Sequence, residues 1–275
     1  TGNFTTTNIP LGKTFNELFP VDSANPTNYK WPTLDASDRS QKIIDPTTGA
    51  LIRRVSLPAD ISPQPPNNFE PSFPNAGSFD SCAPTLVNGG YHCSFPSSGG
   101  AMMRLYWINP TTSETRFLGR IMVPAKTGAD GWRLVANPKD NSTWDRSDSN
   151  IFYAIVTENT STNNGSETGR QNLVKGTYGG GGANVGPDTQ AAFTWENLMS
   201  RPSLGLQDQI AAFNPAFDKT KFTTCTIGAI QGNYAIIWCR RYNQDSYGWM
   251  TVFDLGTKQP GSPQVIAAMK TWENI

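Results

Sequence analysis

The sequence predicts an all-β protein: an array of antiparallel β-modules over residues 41–275 behind an extended N-terminal arm, residues 1–40. Three observations carry this. Only 16% of the 275 residues are charged, while Gly (25) and Pro (21) are plentiful. Long surface helices draw on Glu, Lys and Arg, so this balance favours short strands joined by polar turns. Next, a unit of apolar strand, tight turn, second strand and Pro recurs along the chain. Finally, the four cysteines fall as two close pairs, Cys82 with Cys93 and Cys225 with Cys239.

Residues 1–40 are polar and punctuated by proline without sustained periodicity, as in an extended arm or edge segment. The first module is "KIIDPTTGALIRRVSLP", Lys42 to Pro58, and the second is "LYWINPTTSETRFLGRIMVP", Leu105 to Pro124. Their turns share one chemistry. Asp45 or Asn109 accepts backbone N–H groups, the following Pro fixes φ, and Gly49 supplies a positive φ. "SNIFYAIVTEN" then leads into the polar loop "TSTNNGSETGR", and "YGWMTVFDLGTKQPGSPQVI" turns at Asp254-Leu-Gly256. A further echo links "AAFTWENLMS" (191–200) to "AAMKTWENI" (267–275), as a repeated module would. Units of several strands recurring every ~40–90 residues imply stacked β-modules, of which a propeller is the commonest closed form. The fold class is therefore a propeller-like array, closed or partial and open.

Four cysteines allow three pairings. "KFTTCTIGAIQGNYAIIWCRR" reads as two strands around Gly232, and a hairpin centred there sets Cys225 opposite Cys239. Facing Cα atoms of an antiparallel pair lie about 4.5–5.5 Å apart, within reach of a disulfide. In "CAPTLVNGGYHC" the Asn88-Gly89 turn leaves Cys82 and Cys93 out of register, and Pro84 interrupts the ladder. Joining those two requires a bulge or a wider loop. Disulfides Cys82–Cys93 and Cys225–Cys239 would imply an oxidising, extracellular compartment; four buried thiols would imply a cytosolic one.

The 22 basic and 22 acidic residues cancel, which argues against nucleic acid as a partner. No apolar run approaches the ~18 residues of a membrane span. The sequons at Asn3, Asn141, Asn159 and Asn164 are expected by chance in a chain so rich in Asn, Ser and Thr, and say nothing of the compartment.

"IIDPTTGALIRRVSLP" resembles the strand–Asp-Pro-x-Thr-Gly–strand hairpin of bacterial secreted β-propellers, including the YVTN and quinoprotein-like surface repeats. "STWDRSDSNIFYAIV" is similar to the Trp/Asp turn that enters a blade's central strand. There Asp145 and Asp148 would cap the turn before Phe152 and Tyr153 enter the core. The resemblance is patchy over 41–275. It lacks a Tyr-Val-Thr-Asn string and the Trp docking repeat of the PQQ type, and its blade lengths are irregular.

"TYGGGGANVGP" (177–187) lacks the Gly-Lys-Ser/Thr of a phosphate loop and the glycine spacing of a dinucleotide loop, so it reads as a mobile loop or a lid. His92 is the only histidine; with no Gly-x-Ser-x-Gly stretch to present a nucleophile, it reads as a structural or surface residue. "DNSTWDRSDSN" (140–150) lacks the glycine and final glutamate of an EF-hand, leaving Asx-turns or an irregular Ca²⁺ site. Neither a metal nor a cofactor is expected.

The strongest binding candidate is "WCRRYNQDSYGW". Trp238, Tyr242, Tyr247 and Trp249 set flat rings beside Arg240, Gln244 and Asp245, the pairing a sugar surface uses, with stacking on C–H faces and directed hydrogen bonds to hydroxyls. The structural alternative is a hairpin in which Trp238 packs inward while Arg240 and Arg241 straddle two faces. The expected function is non-enzymatic: an extracellular binding, adhesion or structural assembly module of a bacterial surface layer, meeting carbohydrate or other surface proteins. One alternative is a carbohydrate-active hydrolase or lyase using a pair drawn from Glu70, Asp80, Asp145 and Asp245. Another is a subunit of an extracellular filament in which the N-terminal arm pairs with a neighbour's strand edge.

Overall fold

The computed structural model describes residues 38–44, 51–57, 60, 82–96, 103–123, 142–157, 171–200, 204–241 and 244–260. The described residues are all-β with one short helix. Apart from Asp38–Ser40, the expected arm lies outside the described residues, as do the Asp45–Gly49 turn, the 158–170 loop and the second Thr-Trp-Glu-Asn copy.

Among the described residues, thirteen strands form four antiparallel sheets, each a run of consecutive strands. The first is the hairpin β1 (Lys42–Ile44) and β2 (Leu51–Arg53). The second holds β3 (Tyr91–Pro96), β4 (Met103–Ile108) and β5 (Thr115–Ile121). The third holds β6 (Ser142–Trp144), β7 (Ile151–Thr157), β8 (Gln171–Tyr178) and β9 (Phe193–Asn197). After the helix α1 (Leu206–Phe213), the fourth holds β10 (Thr224–Gln231), β11 (Tyr234–Arg241), β12 (Gln244–Asp254) and β13 (Gln259–Pro260).

Local chemistry sets the bends. Asn109 Oδ1 accepts from the N–H groups of Thr111 and Thr112 at 2.8 and 3.0 Å, and Ser113 takes φ 67°. Asp254 repeats the device: its Oδ1 accepts from Gly256 and Thr257, and Lys258 takes φ 59°. Between β6 and β7, Asp145 Oδ1 accepts from the N–H groups of Ser147 and Asp148, and Asp148 Oδ1 accepts from that of Asn150. Phe152 and Tyr153 then enter the interior, so both acids cap this turn. The first Thr-Trp-Glu-Asn copy is β9, the last strand of the third sheet.

The third sheet is apolar on both faces because the side chains of β7 and β8 alternate between two cores. Phe152, Ala154, Val156 and Val174 pack with Leu105, Trp107 and Leu118 of the second sheet and with Trp144. Tyr153, Ile155 and Leu173 pack with Ile227, Ile237 and Phe253 of the fourth sheet and with Leu206 and Ile210 of α1. Each fully buried Leu, Ile or Phe contributes about 1.5–3 kcal/mol. The second, third and fourth sheets thus stack face to face.

Both disulfides are present, each with Cα atoms 3.9 Å apart. Cys225 faces Cys239 as expected, but the geometry differs from a hairpin centred on Gly232. The turn is the two-residue Gly232-Asn233, with Gln231 paired to Tyr234 and Gly232 at φ 57°. That register alone would misalign the cysteines by one; a bulge at Gly228 between Ile227 and Ala229 restores them. For the first bridge, Asn88 (φ 51°) and Gly89 (φ 82°) make the tight turn, and Val87 pairs with Gly90. The out-of-register remainder is the irregular stretch 83–86, after which Cys82 rejoins β3 opposite Cys93. This is the wider loop that the sequence required.

The glycine-rich stretch is tied down along the open edge of β5, where a free loop was expected. Val185 N–H donates to the Phe117 carbonyl at 3.0 Å, Arg120 N–H to Thr189 at 2.9 Å, and Ala191 N–H to Arg120 at 2.8 Å. Asn184 Oδ1 accepts from Phe117 N–H at 2.8 Å, and the Arg120 guanidinium pairs with Asp188. Gly119 permits this approach: at φ +116°, a Cβ there would sit 2.6 Å from Ala191 N. The strap satisfies backbone groups that an edge strand leaves open.

Candidate functional site

The aromatic candidate sits on the fourth sheet, and the structure divides it. Cys239 lies opposite Trp249, and Trp238 opposite Met250. Successive residues of a strand face opposite sides, so Trp249 joins the core face with Cys239 while Trp238 lies on the other face. Trp249 meets Phe217 edge-on with ring centroids 5.6 Å apart, and also meets Phe222. It is partly buried against the second core, and its Nε1 is buried without an acceptor among the described residues. Trp238 does not pack inward as the structural alternative had it. Its indole lies over Gly248 of β12, where a Cβ would overlap the indole Nε1. The side chains of Arg240, Arg241, Gln244, Asp245 and Tyr247, and the whole of Tyr242, lie outside the described residues.

The outer face instead gathers residues that the sequence reading passed over. Tyr234 is 55% exposed and Ile236 37%. They continue the row of Trp238, and Ile236 lies opposite Val252, with Met250 beside it opposite Trp238. Gly228, the bulged residue, is exposed next to Ile236. The signal was available: "YAIIWC" is an unbroken apolar run, which marks a strand covered on both sides, whereas a strand with one wet face alternates.

The other titratable candidates are absorbed by the fold. Asp145 Oδ2 accepts from the Tyr153 hydroxyl at 3.0 Å. Burial raises the Asp145 carboxyl, but the hydrogen bonds from Ser147, Asp148 and Tyr153 outweigh it and hold the group below its ordinary range. Tyr153 is driven up by burial and by the Asp145 charge. Asp245's side chain, Glu70 and Asp80 lie outside the described residues. His92 is buried. Its Nδ1–H donates to the Ser149 carbonyl at 2.9 Å, and burial lowers its pKa despite that bond. Of the structural and surface readings, the buried structural one describes it. Among the described residues, no three His, Cys, Asp or Glu side chains gather in a way that could hold a metal. Likewise, no described helix is long and apolar enough to cross a membrane.

Two polar clusters were not foreseen. On the second sheet, Asp60 is 3% exposed and pairs with Arg39; it also accepts from the Tyr106 hydroxyl at 3.1 Å and from Leu57 N–H at 2.8 Å. Arg104 Nε donates to the Asp60 carbonyl at 2.9 Å. These bonds pin the chain after β2 across the face opposite the first core. Between the third and fourth sheets, Gln171 acts as a surrogate strand. Its Oε1 accepts from Cys225 N–H at 2.6 Å and its Nε2 donates to the Cys225 carbonyl at 3.2 Å. Gln207 from α1 completes the bridge at 2.7 Å. Such full satisfaction is what allows amides in so dry a place. No family model and no curated protein sequence matches the chain.

Proposed function

We propose that the protein is a non-enzymatic extracellular binding or structural assembly module of a bacterial surface layer, built as a propeller-like stack of β-sheets. One observation carries the reading. Asp145 and His92 are spent on a turn and a sheet contact, while the fourth sheet turns Tyr234 and Ile236 to solvent beside the half-buried Trp238, Met250 and Val252. Exposed apolar patches of this kind mark contact surfaces. Two disulfides support an oxidising location, and consecutive four-stranded meanders packed face to face support the propeller-like architecture. The alternative of a carbohydrate-active enzyme loses Asp145, one of its four acids, to turn capping.

The test is a panel of envelope polysaccharides and purified surface proteins, immobilised and probed with the chain, with the supernatant assayed for released sugars. Saturable retention with the ligand chemically unchanged supports the proposal. Release of shortened or unsaturated sugars refutes it in favour of the hydrolase or lyase reading.

A further inference from the structure

The geometry points to a small ligand subsite between α1 and β13 that takes an uncharged acetamido group, such as an N-acetylated amino sugar carries. The inference rests on the binding reading above and names a ligand class and a place for it.

A cleft of about 200 Å³ opens between the helix and the last strand. Leu204, Phe213 and Pro260 wall it, and Ser200, Gln209 and Gln259 supply its polar groups. Both sides are held from behind. Leu206 and Ile210, one turn apart, anchor α1 in the second core. That leaves Gln209 and Phe213, also one turn apart, along the cleft. On the other side, Ser200 N–H donates to the Lys258 carbonyl at 3.0 Å, one residue before Gln259.

The cleft has an unmet donor. Gln209 is 5% exposed, and its Oε1 accepts from Ser200 Oγ only at the long distance of 3.5 Å. Its buried Nε2 has no acceptor among the described residues. Buried amides are nearly always hydrogen-bonded, and an N–H left unmade is costly. The terminal torsion of a glutamine is soft, so a small turn delivers this N–H to a carbonyl lodged in the cleft.

Three features select the guest. Its acceptor is uncharged, because none of the described residues lining the cleft is charged. The neighbouring Lys258 ammonium is already engaged by Glu196 at 2.9 Å and by the Asn197 carbonyl at 3.1 Å. A carboxylate here would be desolvated without a counter-charge. The guest is one small group, since the cleft falls short of the ~300–1,000 Å³ that drug-sized ligands occupy. Finally, an apolar part accompanies the acceptor, to cover Leu204 and Phe213, which are 39% and 43% exposed. An acetamido group on a sugar meets all three. Its carbonyl takes the Gln209 N–H and its methyl lies against the apolar wall. The sugar ring sets C–H groups on the Phe213 face, and its hydroxyls find partners in Ser200 and Gln259. A peptide shares the carbonyl chemistry but brings no hydroxyls for those two.

Titration of the isotope-labelled, disulfide-intact chain with N-acetylglucosamine, followed by amide chemical shifts, tests this. Glucosamine, glucose and N-acetylalanine methylamide serve as comparison probes. The expected result is saturable shifts of the Gln209 side-chain amide and of the Ser200 and Leu204 backbone amides with N-acetylglucosamine, and none with glucosamine or glucose. Gln209→Leu and Phe213→Ala each weaken binding by roughly tenfold. Phe213 is exposed, so Phe213→Ala keeps the fold and decides the matter where Gln209→Leu does not. Absent shifts at Gln209, an equal response to glucose, or an affinity that Phe213→Ala leaves unchanged overturns the inference. An equal response to N-acetylalanine methylamide overturns the sugar in favour of a peptide carbonyl. The panel above separates the two levels. A Phe213→Ala chain retained as well as wild type sinks the subsite alone, whereas a wild-type chain retained by nothing sinks the binding reading beneath it.

Discussion

Removing the bridge between β10 and β11 tests how the stack is stabilised. Cys225 and Cys239 are fully buried, and the ladder continues on both sides of them, from Thr224↔Arg240 to Thr226↔Trp238. Gln171 separately holds the backbone of Cys225 through its N–H and its carbonyl. The native strand pairing therefore survives reduction, and the loss falls on the unfolded state. The bridge spans a sequence separation of 14, and closing a loop of that size constrains the unfolded chain by about 3 kcal/mol in the chain-entropy model. Cys225→Ala/Cys239→Ala also deletes two buried sulfurs, adding on the order of 1–2 kcal/mol. With a urea m-value of about 2–3 kcal/mol/M, the midpoint drops by about 1–2 M. Urea unfolding followed by tryptophan fluorescence measures this, with the selectively reduced wild-type chain isolating the entropic part. An unchanged midpoint in both samples refutes the reasoning. So does a variant that has lost its cooperative transition in the absence of urea, since the native ladder would then depend on the crosslink.

Gly119→Ala sets a methyl against the strap at Ala191 N and Thr189 O in a backbone with φ +116°. The expected result is loss of about 1–3 kcal/mol, with faster amide exchange at Val185 and Ala191 while β7 is unaffected. For Asp145, the sign follows from its depressed carboxyl. The stabilisation is full above the unfolded carboxylate range near ~4 and is lost as pH falls through the lower folded value. Asp145→Ala therefore destabilises by about 1–3 kcal/mol at neutral pH and flattens the acid limb of a stability-against-pH curve; parallel acid limbs would contradict the assignment.

What the sequence made legible was local. Asn109, Asp145, Asp254 and Gly232 govern bends within four residues of themselves, so the side chain that makes each turn stands beside it in the text. The hairpin disulfide was legible for the same reason, although the bulge at Gly228 and the two-residue turn had to offset each other. Partners remote in sequence were not legible. The glycine strap meets β5, and Gln171 meets Cys225 with a separation of 54. Nothing near either residue announces its partner. Parity separates the two described tryptophans of the aromatic candidate. A register shift between Arg240 and Arg241 sets Trp238 opposite Met250, and that places Trp249 on the core face.

The central claim is that the third sheet lies between two cores, and residue-resolved hydrogen exchange on the oxidised chain tests it most directly. The account predicts that the amides of β7 and β8 exchange slowest, at the rate of global unfolding, with those of the strap along β5 opening first. Fast exchange in Ile151–Thr157 or Gln171–Tyr178 while the second or fourth sheet stays protected would contradict it.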